Sequence, residues 1–175
     1  MAQLYYFGSP KADFLLTLIQ FNVFRALLQN TTTLDIPFDW LHDVADSAIV
    51  QGLFNPTAPS SLQPTALQRK LPHHPWSDLF PFPRLRDNIL QACDGRVELE
   101  DALCSAMVGW CNSPSTRVGI IVWGEPCDPS GWEVTEGFCK NWGWLMSGCG
   151  DLIESSNRWR KVRDEKPLVL EQLQH

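Results

Sequence analysis

The apolar positions along this chain change their spacing several times, and each change marks an element. Over residues 11–29, Leu15, Leu18, Ile19, Val23, Ala26 and Leu27 recur at the 3.6-residue period of a helix. Phe14, Phe21 and Phe24 widen that surface, so the spacing predicts a helix buried on most sides. Asn22 would then bond a neighbouring backbone, and Asn30 would be a left-handed C-terminal residue. A second helix is predicted over 37–52, opened by Pro37, striped by Trp40, Leu41, Val44, Ala48 and Ile49, and ended by Gly52. Residues 53–72 lose the period. Pro56, Pro59, Pro64 and Pro72 among serines and threonines predict a long loop with one helical turn at 65–69. The helical period returns over 83–93, with Leu85, Ile89 and Leu90 inward and Phe82 as a hydrophobic staple. It returns again over 97–110, where Leu99, Leu103, Ala106, Met107 and Trp110 share a side with Cys104 and Cys111. Residues 118–123 are the one strand-like stretch, and nothing pairs with them convincingly. Asp128 or Ser130 would cap a helix running to about Met146, and a last helix covers roughly 151–163. Residues 1–12 and 164–175 read as tails around a domain spanning 13–163. The pattern as a whole predicts a mainly α fold: a single-domain bundle of about six helices, a long Pro-rich crossing segment and at most one short β element.

Residues 73–88 interrupt this scheme. They hold His73, His74, Asp78, Arg84, Arg86 and Asp87 beside Trp76, Phe80 and Phe82, with prolines at 75, 81 and 83. Each proline removes a backbone donor and fixes φ, so the first half is neither a regular helix nor a central strand. The aromatics still need burial, which predicts a rigid irregular segment pinned to the core by Trp76, Phe80 and Phe82.

Composition narrows the function. A net charge of −6 argues against the whole chain being a nucleic-acid binder; the basic run from Asn157 to Arg163 could touch nucleic acid or an acidic partner, or is a solvated helix face with Trp159 inward. The six cysteines form no CxxC and no zinc spacing, so free thiols, no metal and no cofactor are expected. No apolar run is long enough to span a bilayer, and no signal peptide is visible. Eight tryptophans are many for 175 residues, and Trp76, Trp123, Trp132 and Trp142 are expected to line a pocket.

Several motifs, in order, carry a resemblance. They are Leu18-Ile19-Gln20-Phe21-Asn22-Val23-Phe24-Arg25, then Pro64-Thr65-Ala66-Leu67-Gln68, then the 73–88 segment. Gly119-Ile120-Ile121-Val122-Trp123-Gly124, Gly131-Trp132-Glu133-Val134-Thr135-Glu136-Gly137-Phe138, Lys140-Asn141-Trp142-Gly143-Trp144-Leu145 and Ser156-Asn157-Arg158-Trp159-Arg160 follow. Over roughly 13–163 the set resembles the uncharacterised fungal domain found C-terminal to the basic leucine zipper of many filamentous-fungus regulators. The resemblance implies a fungal intracellular protein, nuclear or cytoplasmic, linked to transcriptional control, and it carries over no reaction. The basic region and zipper are missing here, so direct DNA binding is not expected.

The candidate chemistry is acid–base. His74 could act as a general base near neutrality, although an adjacent pair of histidines faces opposite sides and chelates poorly. Either histidine has an ordinary alternative in bonding a neighbouring backbone. Arg86 would pair with Asp78 or Asp87, or clamp an anionic ligand. Glu133 and Glu136, three apart on one helix face, are capping or solvated carboxylates, or an acid–base pair. Three readings follow: a regulatory module binding a small molecule or a protein partner such as a zipper-containing regulator, an enzyme of fungal specialised metabolism using His74, Asp78, Glu133 and Glu136, or an interaction domain without a cavity.

Overall fold

A computed structural model describes residues 10–41, 45–108 and 119–169, with side chains from residue 17 onward. Among these, five α-helices surround one two-stranded ribbon: α1 (Pro10–Thr33), α2 (Pro83–Cys93), α3 (Val97–Val108), β1 (Ile120–Val122), β2 (Trp132–Val134), α4 (Glu136–Trp142) and α5 (Gly150–Val162). The mainly α class is therefore as the sequence indicates, with short 3-10 turns in place of some expected helix.

The first helix is longer and less buried than its pattern suggests. It continues to Thr33, and the left-handed residue is Asp35 (φ 57°), not Asn30. Asn30 lies inside the last turn, buried, with its Nδ2 donating to the carbonyls of Leu79 (2.8 Å) and Pro126 (3.1 Å). Leu18 and Phe21 stay exposed on the outer face. In the described part of the expected 37–52 helix stand 3-10 turns at Phe38–Leu41 and Ala48–Gln51, with no helix at 45–47; Val44 of its stripe lies outside the described residues. Ser47 caps the second turn, accepting from the Ile49 N–H at 3.3 Å, and Gly52 closes it at φ 79°.

The strand-like stretch does have a partner. β1 pairs antiparallel with β2, setting Ile120 opposite Val134, Ile121 opposite Glu133 and Val122 opposite Trp132. The helix expected from residue 128 to Met146 is thus broken. Asp128 caps only the 3-10 turn Pro129–Gly131, and α4 starts afresh at Glu136 with Thr135 as its cap. Gly124 and Gly131 approach closely where the ribbon continues past β1 and β2, and a Cβ on Gly131 would lie 3.1 Å from the Gly124 backbone. α1 packs on β1 and α5 packs on β2. Ser156 Oγ accepts from the Val134 N–H (2.9 Å), and Ser155 Oγ donates to the Trp132 carbonyl (2.6 Å). Two serines of α5 thereby satisfy backbone groups that an exposed strand edge would leave to water.

Trp132, fully buried, is the centre of the core. Phe80 and Phe82 meet it edge-on, at centroid separations of 5.9 and 6.3 Å, and Trp76 meets Phe80 edge-on at 5.7 Å. Each such ring contributes roughly 2–3 kcal/mol by burial, and each edge-to-face pair about 1 kcal/mol more. The 73–88 segment is pinned by the three aromatics singled out from the sequence. Its first half forms a 3-10 turn, Pro75–Leu79, and Pro83 opens α2. Residues 164–168 are not a loose tail. Leu168 is buried, and its backbone N–H and carbonyl both bond the Asn157 side chain, at 2.6 and 3.0 Å. Trp110 and Cys111 lie outside the described residues.

Candidate functional site

The predicted site residues separate into a cavity, a buried polar network and a carboxylate clasp. The cavity, about 470 Å³, lies between α1, the 72–79 stretch, α2 and α3. Its deep wall is apolar: Leu27, Leu79, Ile89 and Val108 line it, all buried. Trp76 forms one side, its Nε1 donating to Glu100 Oε1 at 2.9 Å. Glu100 comes from the first turn of α3, which the Asp94-Gly95 turn folds back against α2. His74 lines the cavity and caps the Pro75–Leu79 turn, its Nδ1 accepting from the Trp76 N–H at 3.3 Å. Cys93 also lines it, and burial, with Glu100 nearby, pushes its thiol up to about 11, so it stays protonated at neutral pH. A second hollow of about 470 Å³ sits beside Trp40, Phe54 and Pro75.

The polar network lies behind Trp76. Asp78 is buried and accepts from three side chains: Ser47 Oγ (2.6 Å), Gln68 Nε2 (2.5 Å) and His73 Nε2 (2.8 Å). His73 Nδ1 meets the Leu71 carbonyl at 2.6 Å, so both ring nitrogens face acceptors and the imidazolium suits the site. Burial alone would lower the His73 pKa, but the Asp78 hydrogen bond and charge, with the Leu71 carbonyl, raise it overall. Arg86 is fully buried and touches neither Asp78 nor Asp87. Its guanidinium donates instead to Gln68 Oε1 (3.0 Å) and to the carbonyls of Ser61, Phe80 and Gln63 (2.6–2.7 Å). Burial lowers it to about 10 against the fields of Asp78 and Asp87, which leaves it charged at neutral pH. The expected Arg86 ion pair is therefore relayed through Gln68, and Asp87 is occupied by Thr65 Oγ1 at 2.5 Å. Gln68 is held by a reciprocal capping pair: the Thr65 N–H donates to Gln68 Oε1 (2.9 Å), and the Gln68 N–H to Thr65 Oγ1 (3.1 Å). The sequence reading missed Gln68 and Ser47, although Thr65-x-x-Gln68 spells the capping pattern.

Glu133 lies at the middle of β2, not on a helix, and is buried. Arg163 grips it with two bonds, Nη1 at 2.9 Å and Nη2 at 2.5 Å, and Trp123 Nε1 donates a third at 2.8 Å. Trp123 stacks on Trp159 (5.4 Å), and the Arg163 guanidinium lies over the Trp123 ring at 5.4 Å. Arg163 also bonds Glu165, so its pKa is raised first by Glu165 and then by Glu133. Glu136 is exposed on α4, paired with Lys140 (2.7 Å) and more distantly with Arg160 (3.5 Å). Glu133 and Glu136 thus share no helix face. Trp142 is half-buried and stacks with Phe138 at 6.3 Å. Of the four tryptophans, Trp76 alone lines the cavity; Trp132 is in the core and Trp123 in the clasp. The basic run is largely committed to structure, with Arg160 buried and Arg158 donating to the Ser130 carbonyl.

What this fold and site define is a mainly helical domain with an apolar cavity beside a locked polar network. The chain belongs to the family described as domain of unknown function DUF3425, which matches residues 50–153. No curated protein and no solved structure matches it. Among the described residues, no helix is long and apolar enough to cross a membrane.

Proposed function

We propose that the chain is a non-catalytic regulatory module whose cavity between α1, α2 and α3 takes a small molecule. The cavity carries this reading. Its volume of about 470 Å³ falls within the roughly 300–1,000 Å³ usual for small-ligand sites, its deep wall is apolar, and Trp76 is held rigidly in its side. The acid–base candidates support binding over turnover. Only His74 of the four reaches the cavity, while Asp78 and Glu133 each hold three hydrogen bonds elsewhere. The ordered motifs over residues 13–163 add the setting: a fungal protein, nuclear or cytoplasmic, related to the domain that follows the zipper in leucine-zipper regulators. A zipper-containing regulator is then the partner that reads the bound state.

The test is native mass spectrometry of the chain after incubation with fungal extract, followed by denaturation to release bound species. A stoichiometric small molecule, recovered chemically unchanged, supports the module. Conversion of that molecule, lost in a His74→Ala variant that still binds it, would establish the enzyme reading instead. A bare protein mass would sink both.

A further inference from the structure

The cavity is chemically lopsided, and the asymmetry points to a ligand class. Leu27, Leu79, Ile89 and Val108 form an apolar interior. Among the described residues, four carboxylates line the cavity toward the solvent, Asp46, Asp94, Glu100 and Asp101. The basic side chains lining the same space among the described residues are Arg96, His73 and His74, and His73 is already paired with Asp78 at 2.8 Å. Asp46, Asp94 and Asp101 are exposed and individually screened by water. Glu100 is half-buried beside Trp76 and fixed by it through Oε1, while Oε2 has no hydrogen-bond partner among the described residues. An oriented carboxylate at the junction of an apolar interior and an acidic rim favours a positive group at that depth, because the low-dielectric wall limits screening.

We infer that the cavity takes a small lipophilic amine or ammonium compound, its apolar body among Leu27, Leu79, Ile89 and Val108 and its cationic end at Glu100. This rests on the binding reading above and gives it a ligand chemistry. An anionic ligand of the same shape would meet Glu100 at that depth and bind more weakly than the amine.

Isothermal titration of the full chain with decylamine, decanol and decanoate, each below its aggregation concentration, tests the assignment. The expected order is amine, alcohol, carboxylate, with decylamine about tenfold tighter than decanoate at low salt. Glu100→Gln keeps an acceptor for Trp76 and should shrink that ratio about threefold, with Asp101→Asn acting in the same direction more weakly. Leu28→Trp, which fills the cavity from α1, should abolish binding of all three probes, and Ala45→Trp provides the same block from another wall. Equal affinity for the three probes, lost in the filled variants, would overturn the cationic assignment and leave the cavity as a binding site. Binding by none of them, or binding untouched by both filled variants, would overturn the cavity reading and this inference with it.

Discussion

Asp78 and Glu133 are both buried carboxylates held by three hydrogen bonds, yet the structure uses them in opposite ways. Asp78 belongs to a closed neighbourhood. Its partners lie between residues 47 and 73, and its hydrogen-bonded path to Arg86 runs through the neutral Gln68. Glu133 is gripped directly by an arginine thirty residues away, on a guanidinium that remains partly in water. A buried charge relayed through an amide fixes many backbone carbonyls at once, because Arg86 is free to donate to Ser61, Gln63 and Phe80. A direct bidentate pair fixes two side chains and little else. The first arrangement organises a loop; the second fastens the C-terminal end of the fold to a ribbon.

The comparison can be broken at four points. Arg86→Met should have the largest effect, about 3–5 kcal/mol lost in urea unfolding, because the carbonyls of Ser61, Gln63 and Phe80 and Gln68 Oε1 each lose a charged donor inside the fold. Arg86→Lys should recover little, since an ammonium lacks the planar fork that reaches all four acceptors. Asp78→Asn should cost about 2–3 kcal/mol, and it should also flatten a pH dependence. The His73 pKa is raised in the folded protein, so the folded state binds more protons and its stability falls as pH rises. The contribution of the pair is complete below about pH 6.5 and is lost as pH climbs through the raised value. Unfolding midpoints of the wild type measured across that window should decline with pH; those of Asp78→Asn should not share that decline.

The clasp should be weaker. Glu133→Gln or Arg163→Ala is expected to lose about 1–2 kcal/mol, and a double-mutant cycle should show that the two losses largely coincide. Because Arg163 is partly exposed, added salt should erode this coupling while leaving the Arg86 effect nearly intact. Smallest of all, Glu136→Ala should leave the thermal midpoint unchanged, since Glu136 pairs with Lys140 on the open surface of α4. A large loss at Glu136 combined with none at Arg86 would reverse the assignment of roles.

Particular residues show what was legible in the sequence and what was not. The pinning of the 73–88 segment could be read because three prolines forbid regular structure while three aromatics demand burial, and both facts are local. α2, α3 and α5 could be read from their period. The ribbon could not. Trp132-Glu133-Val134 is three residues long, and Asp128-Pro129-Ser130 just before it has the composition of a helix cap. That cap is real but serves a single 3-10 turn, and only the pairing with Ile120–Val122 turns the next residues into a strand. Placing Glu133 on a helix then hid Arg163, whose role depends on where β2 lies. The Arg86 relay was hidden for a different reason: charge content suggests direct pairs, and nothing in charge content indicates that an amide stands between them. The helix expected over 37–52 failed because the period alone does not show that Ser47 caps a separate short turn at Ala48–Gln51, while Trp40 and Leu41 belong to another turn at Phe38–Leu41.

On the proposed reading, the cavity between α1, α2 and α3 is where this domain binds. The most direct measurement compares the native masses of the wild type and Leu28→Trp after identical incubation with fungal extract, with circular dichroism confirming that the variant is folded. A bound small molecule is expected on the wild type and none on the variant. The same molecule retained at equal occupancy on both proteins would contradict it and place the site elsewhere on the domain.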